Sequence, residues 1–524
     1  MSATLHPDLV WAQERARWRD YHLDHLAASL ARIEADVAQE TLATGRLADH
    51  CASVLTVLDH ARQAPELHDR VIALLLALDP WPVRWGYGAE WAALLRFGAE
   101  AAAAQGDRQR RAALLCALAN YHASFGQISA AQAAAGAAFE AALQAGAREP
   151  LVRALDIAVA IALRQGETDG AQALLERTAA AISAADWAAL PDMARVCFSH
   201  ARTLRRLGRL EEALQWADRA VRLVEEAAPE KRDASLLADA CNVRGVMHWA
   251  IVKYAEAVRD LEQAWTLYRM IGDQNSATRV TGTLGLVYWS QGELQRAEHL
   301  FTEAIRQAEA RDDRLQVAIN IGNLGLVELC RRRLRPALAC FERQLALATE
   351  HDDPHEAMRA VGNRGIVRLH RREYAAAMAD LKREQSFAEK SGLPEGLICN
   401  YVAQVRCLAA LGEKAEALAL ARDTVTLARQ TQSPALIIIA LRCLAEQVAP
   451  AEARMALDEA LARARQSGRR LDEAACLLAL SALAEEAEQA RLWRAGSHLL
   501  AAIGARAWLR GHSPANPPQI VLIA

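Results

Sequence analysis

Four glycines stand 40 residues apart in the middle of the chain, at Gly245, Gly285, Gly325 and Gly365. Each is followed by turn residues and, twelve positions on, by an alanine. A small residue at a fixed place indicates two helices that must approach closely in every unit. Self-similarity at such a period is typical of a repeat array, in which each unit buries its apolar face only against its neighbours. The spacing therefore predicts an all-α solenoid.

The best-formed unit resembles the tetratricopeptide repeat. Between residues 281 and 304 it has Leu284, Gly285, Tyr288, Ala297, Phe301 and Ala304 in the places that this family's pattern requires. The 40-residue step and the wording GNLG are similar to the long-repeat subclass of kinesin light chains and cell-polarity adaptors. The resemblance implies a right-handed superhelix of about ten helix-turn-helix pairs. It does not imply one function, because such arrays bind many kinds of partner.

The quality of the repeats varies along the 524 residues and predicts five segments. Pro80 and Pro82 interrupt the helical pattern near the first boundary, and Pro514 stops it near the last one. The apolar end, 520–524, either folds back onto the last helices or binds a partner. The segments are an N-terminal helical part (1–75), degenerate repeats (76–235), well-formed repeats (236–437), degenerate C-terminal repeats (438–510) and a proline-rich tail (511–524).

Composition and motifs argue against catalysis. The net charge of −3 gives no general attraction to nucleic acid or to an anionic membrane. The ten cysteines include no CxxC pair and are expected to be buried thiols of a cytoplasmic protein. We find no nucleophile elbow, HExxH motif or calcium loop, and no lysine follows a glycine as a phosphate-binding loop requires. We therefore predict no enzyme activity, no metal site and no cofactor.

The order of N-terminal helices, repeats and the closing LAAIGARAWLR is also similar to the sensor half of STAND-type ATPases and large LuxR-type regulators. The nucleotide-binding switch of those families is absent from this sequence. The resemblance therefore implies a free-standing recognition half. The corresponding alternative function is a regulatory subunit of a bacterial signalling or defence system, acting on a separate effector enzyme or on nucleic acid.

The main functional prediction concerns the first helix of each pair, which lines the concave face in tetratricopeptide arrays. Carrying the family's groove positions onto this sequence, relative to the helix-packing glycine, gives a predicted site for a peptide or protein segment. Its residues are Arg202, Arg205, Asn242, Trp249, Arg279, Gly282, Thr283, Trp289, Gly322, Asn323, Arg359, Gly362, Asn363 and His370.

Each residue type in this set has a second explanation. Gly282, Gly322 and Gly362 cost helix stability, so something must approach closely there: a neighbouring helix or a ligand backbone. An asparagine such as Asn323 either pairs with an extended peptide or bonds within the array. The tryptophans either anchor a ligand or fill a gap between helices.

A second, less favoured surface is basic. Arg331, Arg332, Arg333 and Arg335 fill one turn, and Arg371 and Arg372 fill the same turn 40 residues later. Stacked turns would align them into an edge that can hold phosphate or an acidic peptide. The alternative is a solvated turn whose arginines complement helix dipoles.

Overall fold

The computed structural model describes residues 7–39, 50–79, 81, 88–125, 127–182, 193–227, 233–351, 353–390 and 394–520. Within these ranges the backbone forms twenty-four α-helices and no β-strand. The predicted all-α solenoid is confirmed. Pro80 and Pro82 lie outside the described residues.

Backbone contacts divide the chain into two compact units. The first contains Met1–Ser124 with Ser129–Ala158, and the second contains Phe125–Ile128 with Val159–Ala524. The core of the first unit includes the fully buried Leu58, Ile72 and Trp91. The helices up to the boundary are α1 (Pro7–Gln39), α2 (Cys51–Ala61), α3 (His68–Leu78), α4 (Gly88–Ala104), α5 (Arg108–Ser124), α6 (Ile128–Ala145) and α7 (Arg148–Gln165).

The second unit holds the periodic repeats. Its helices alternate between a first and a second member of each pair, from α9 with α10 to α23 with α24. They are α8 (Thr168–Ala181), α9 (Met193–Arg206), α10 (Leu210–Glu225), α11 (Ala234–Ala250), α12 (Tyr254–Met270), α13 (Gln274–Ser290), α14 (Leu294–Glu309), α15 (Arg314–Cys330), α16 (Leu334–Glu350), α17 (Pro354–His370), α18 (Tyr374–Lys390), α19 (Pro394–Leu411), α20 (Lys414–Gln430), α21 (Pro434–Ala445), α22 (Pro450–Gln466), α23 (Arg470–Ser481) and α24 (Glu486–Ala502).

The glycines of the 40-residue step bring the two helices of a pair together. A Cβ on Gly285 would lie 2.5 Å from the ring of Phe301, and one on Gly325 would lie 2.6 Å from the ring of Phe341. Ala297 and Ala337 are fully buried in the same pairs. The predicted close approach of the two helices is therefore confirmed, and an alanine at either glycine would push an aromatic ring out of the core.

Aspartates start the first helices at the same interval. Asp273, Asp313 and Asp353 accept hydrogen bonds from the backbone N–H groups three residues on, at distances of 3.0 to 3.1 Å. These bonds satisfy donors that a helix start leaves without partners. The capped helices α13, α15 and α17 are therefore held in equivalent registers, which places their side chains at equivalent positions.

The turn inside each pair requires one residue in the left-handed conformation. Gly292 and Gly412 supply it with φ of 80° and 94°, whereas Arg332 and Arg372 adopt φ of 57° and 64°. Such angles are costly for residues that carry a Cβ. Val252 has φ of 69° at the same place, so this turn keeps its conformation with and without glycine.

The repeats of the second unit turn back on themselves. Arg164 pairs with Asp353, and a Cβ on Gly208 would lie 3.2 Å from the backbone of Thr431. A third long-range contact joins Trp508 to Cys330: the indole N–H of Trp508 donates to the carbonyl oxygen of Cys330 at 2.7 Å. Contacts over such sequence distances are not between neighbouring repeats. The winding is tight enough for successive turns of this superhelix to touch.

The C-terminal segment folds back as far as it is described. Ile520 is 1% exposed, and its carbonyl oxygen accepts a hydrogen bond from Arg442. The Ser481 hydroxyl donates to the carbonyl oxygen of Pro514 at 3.2 Å. Of the two alternatives for the apolar end, folding back holds for Ile520, and residues 521–524 lie outside the described residues.

Candidate functional site

A cavity of about 290 Å³ lies in the second unit, among α9, α15, α17, α18 and α19. Four of the predicted site residues line it: Arg205, Arg359, Gly362 and Asn363. Arg205 and Asn363, which are 158 positions apart in sequence, meet there because the turning superhelix carries the end of α9 opposite α17. We call this space the Asn363 cavity.

Hydrogen bonds to its own array hold Arg359 in the wall. Its guanidinium donates to the Glu356 carboxylate at 2.7 Å and to the Asn323 amide oxygen at 3.0 Å. Burial alone would raise the pKa of Glu356, but Arg359 and His355 outweigh it and hold that pKa well below its ordinary value. The wall therefore contains a fixed ion pair, positioned by the first turn of α17.

Asn363 differs from Arg359 in its hydrogen bonding. Its side chain lines the cavity, the residue is only 4% exposed, and its amide has no hydrogen-bond partner among the described residues. The amide atoms of Asn363 are not among the fully enclosed polar atoms that lack a partner, so they are accessible from the cavity. An occupant with both a donor and an acceptor would satisfy this amide.

Side chains of the array itself fill the space that the three helical glycines leave. A Cβ on Gly282 would lie 2.6 Å from the Asn320 amide oxygen. A Cβ on Gly322 would overlap the Gln344 amide, and one on Gly362 would overlap the Glu384 carboxylate. Of the two explanations for these glycines, close approach within the array accounts for all three, and Gly362 in addition lines the cavity.

Glu384 gives the cavity a titratable group. It is half-buried, and the amide nitrogen of the buried Asn400 donates to its carboxylate at 2.8 Å. Desolvation raises the pKa of Glu384 to about 7, against the lowering effect of the Asn400 hydrogen bond. Arg205 and Arg206 bring positive charge to the same lining. The cavity is therefore cationic overall, more so when Glu384 is protonated.

Models of the tetratricopeptide repeat family match two segments of the second unit, residues 276–350 and residues 201–230. Those segments are tetratricopeptide repeats. The first includes α13 to α16 and the second covers most of α9 and α10. No curated protein matches the chain.

Several solved structures are similar to about two thirds of this chain at low sequence identity. NprR in complex with its cognate peptide NprX is 13% identical, with a TM-score of 0.48, covering 67% of this chain and 99% of that one. A Rap protein complexed with competence and sporulation factor is 12% identical, with a TM-score of 0.45, covering 68% and 99%. A STAND protein with a tetratricopeptide repeat sensor from Pyrococcus horikoshii is 14% identical, with a TM-score of 0.43, covering 66% and 50%.

Two predicted tryptophans line a second, smaller cavity of about 130 Å³ in the repeats. The Trp249 indole N–H donates to the Ser290 hydroxyl at 3.0 Å, and the Trp289 indole N–H points at the Cys330 sulfur at 3.2 Å. Trp289 is 7% exposed. Both indoles are thus bonded to the next repeat and contribute to inter-repeat packing.

The other predicted site residues line neither cavity. Asn323 is 1% exposed and bonded to Arg359, and the His370 ring lies 5.0 Å from that of Trp508. The Arg279 guanidinium donates to Ser276, and the Thr283 hydroxyl to the Arg279 carbonyl. Binding roles for them stay predictions, as they do for the rest of the set: Arg202, Asn242, Gly282 and Gly322.

Sequence reasoning missed Glu384 and Asn400. A signal for Glu384 existed: at the 40-residue step, positions 264 and 304 are alanine, but position 344 is glutamine and position 384 is glutamate. Ala264 and Ala304 are fully buried. Polar residues where earlier repeats bury alanine indicate a polar interior in the later repeats. Asn400 also had a precursor two steps earlier, because Asn320 occupies the same place in its helix and is buried too.

The described residues give little support for metal chemistry or for reactive thiols. They contain no group of three or more histidine, cysteine or carboxylate side chains that could hold a metal ion. Nine of the ten cysteines are buried and Cys340 is half-buried. Burial raises the pKa of the Cys197 and Cys443 thiols to about 12, which keeps them protonated. None of the helices in these ranges is both long and apolar enough to span a membrane.

The predicted basic edge is partly covered by the C-terminal segment. Arg331 pairs with Glu298 at 2.7 Å, and the guanidinium of Arg332 lies over the Trp508 ring, 5.2 Å from its centre. The Arg333 side chain is 57% exposed. These turns therefore do not form an open stripe, and the C-terminal segment becomes part of the surface that their arginines make.

Proposed function

We propose that this chain is a protein-interaction scaffold that binds a short extended segment of a partner protein in the Asn363 cavity. The observation that carries the proposal is the Asn363 amide, nearly buried, facing a cavity and without a partner among the described residues. An amide side chain donates through nitrogen and accepts through oxygen, so it pairs with one peptide unit in both directions. Such pairing suits an extended backbone of any sequence.

Gly362 supports this reading by its position. It precedes Asn363 on α17 and lines the same cavity. Its missing side chain makes room for the Glu384 carboxyl group, which also lines the cavity. The wall thus offers the Asn363 amide together with a carboxyl group, and both can hydrogen-bond to a main chain.

The rest of the lining indicates what the segment carries. Arg205 and Arg206 add positive charge to the lining beside the Arg359–Glu356 pair, which favours a carboxylate on the ligand. Met358, Ile366 and Phe387 give the wall an apolar part. The volume of about 290 Å³ lies at the small end of ligand pockets, so it seats one or two side chains. We expect a segment with an acidic side chain or a free C-terminus next to an apolar residue.

The test is a selection of peptides from a display library on the full chain, followed by binding measurements with single variants. Asn363→Ala should weaken selected peptides by about tenfold or more, because it removes two hydrogen bonds in a nearly buried place. The matched control is Asn120→Ala, the same change at an exposed residue of the first unit, which should leave the Kd within about twofold.

Circular dichroism of both variants verifies that the helices survive. If selected peptides bind folded Asn363→Ala as tightly as the wild type, the cavity is not the binding site and the proposal is wrong. If no peptide with the expected acidic and apolar pair is enriched, the assignment of the ligand is wrong as well.

A further inference from the structure

A second polar cavity, of about 990 Å³, lies where the turns of the middle repeats meet the C-terminal segment. The turns that follow α13 and α15 form one side of it, and the start of α23 with the residues after α24 forms the other. Six arginines line it: Arg296, Arg331, Arg332, Arg333, Arg470 and Arg510. We call it the six-arginine cavity.

The charge in this cavity is not balanced by its own lining. Glu293 and Glu298 are the carboxylates among the lining residues, and Glu328 outside the lining pairs with Arg333 at 3.4 Å, so six positive charges face three negative ones and three remain in excess. Glu293 pairs with Arg296 at 2.9 Å and Glu298 pairs with Arg331 at 2.7 Å. Among the described residues, Arg332, Arg470 and Arg510 have no carboxylate within 4.0 Å.

The fold fixes the guanidinium group of Arg332 instead of leaving it free in solvent. Arg332 adopts φ of 57° and donates to the Trp508 carbonyl oxygen at 3.3 Å. Burial and the nearby Arg372 lower the pKa of Arg332, which shows that its charge is disfavoured where the fold holds it. An anion in the cavity would relieve that cost, and the relief would appear as binding free energy.

We propose that the six-arginine cavity binds a compact oligophosphate, in which two or more phosphoryl groups are joined. Guanidinium groups bind phosphate oxygens in pairs of parallel hydrogen bonds, and several arginines around one cavity match closely spaced phosphoryl groups. The carboxylates of an acidic peptide lie farther apart along the chain and match a concentrated charge less well. None of the lining residues is aromatic. The phosphoryl chain therefore supplies the recognition, and a nucleobase adds little stacking.

The proposal is tested by calorimetric titration of the full chain with inorganic triphosphate, pyrophosphate and orthophosphate, and with ATP and GTP. We expect triphosphate to bind about tenfold or more tightly than orthophosphate, with affinity that falls as salt is added. Similar Kd values for triphosphate, ATP and GTP would assign binding to the phosphoryl chain. A nucleotide that binds far more tightly than triphosphate would overturn that part of the proposal.

Variants separate this site from general surface charge. Arg470→Gln with Arg510→Gln removes two exposed, unpaired guanidinium groups and should weaken triphosphate by about tenfold or more. Arg470→Glu should weaken it further. The matched control, Arg494→Gln, changes an exposed arginine of α24 outside the cavity and should have less than about a twofold effect.

Three results would overturn the proposal. The first is absence of triphosphate binding to the folded wild type at physiological salt. The second is an equal loss in Arg494→Gln and in the double variant. The third is an oligoglutamate peptide that binds as tightly as triphosphate. Peptide binding at the Asn363 cavity is measured separately, so failure of either proposal leaves the other standing.

Discussion

Glu384 shows how a single polar residue sets the chemistry of the Asn363 cavity. It occupies a place in the repeat where Ala264 and Ala304 are fully buried, and the helix opposite carries Gly362 to make room for it. Asn400 is its hydrogen-bond donor at 2.8 Å. One donated bond does not offset the loss of water around a carboxylate, so the proton is held more tightly than usual.

The stability of the chain should therefore depend on the protonation of Glu384. Its pKa is raised to about 7 in the folded chain from the ordinary 4.5. Below pH 4.5 the carboxyl group is therefore protonated in both the folded and the unfolded chain, and it does not reduce stability. Between pH 4.5 and about pH 7 unfolding releases the proton, so the free energy of unfolding falls as the pH rises. Glu384→Gln should stabilise the fold by on the order of 2 kcal/mol at pH 8 and by almost nothing at pH 4.

Chemical unfolding at both pH values checks this prediction. The control is Glu211→Gln at an exposed position of α10, which should change the free energy of unfolding by less than about 0.5 kcal/mol at either pH. A destabilised Glu384→Gln at pH 8 would mean that the ionised carboxylate has a stabilising partner and would contradict the account given above.

At the scale of the element, the segment after α24 closes the repeats. Trp508 is 2% exposed, and it donates a hydrogen bond to the carbonyl oxygen of Cys330 at the end of α15. Arg332 and His370 contact its ring from the turns of two successive repeats. A terminal repeat exposes its last apolar face to water unless something covers it. Here the segment after α24 covers that face and also contacts repeats much earlier in the chain.

Trp508→Ala should destabilise the second unit by about 3–5 kcal/mol, because it leaves a large cavity between two parts of the superhelix. The free energy of unfolding is measured by denaturant titration on the full chain. Trp18→Ala provides the matched control, since Trp18 is 68% exposed and its removal should cost less than about 0.5 kcal/mol. Equal costs for the two changes would show that Trp508 does not hold the segment in place.

The sequence predicts elements well where the signal repeats. Four glycines at one interval are enough to place helix pairs and their closest contacts, because neighbouring repeats must solve the same packing problem. The end of the last helix is less predictable: α24 ends at Ala502, before Gly504 with φ of 78°, although the predicted repeat segment runs to residue 510. Gly504 falls outside the regular period, so nothing in the repeat pattern marks it as a helix end.

At the scale of the whole second unit, the contacts that close the superhelix could not be predicted. Arg164 with Asp353 and Cys330 with Trp508 are separated by 189 and 178 residues. Which turns meet depends on a small rotation at each repeat, summed over several repeats, and no single motif encodes that sum. The groove prediction placed its candidate residues repeat by repeat. Closure instead concentrates Arg205, Arg359 and Asn363 in one cavity.

Because repeats that are distant in sequence touch, the stability of one should depend on the other. Gly208 and Gly412 both have positive φ, but only a Cβ on Gly208 would meet another turn, 3.2 Å from the Thr431 carbonyl oxygen. Gly412→Ala should cost about 1–2 kcal/mol from backbone strain alone. Gly208→Ala should cost about 1 kcal/mol more and speed hydrogen exchange in α21, because it also separates the turns. Equal costs with unchanged exchange in α21 would show that repeats far apart in the chain unfold independently.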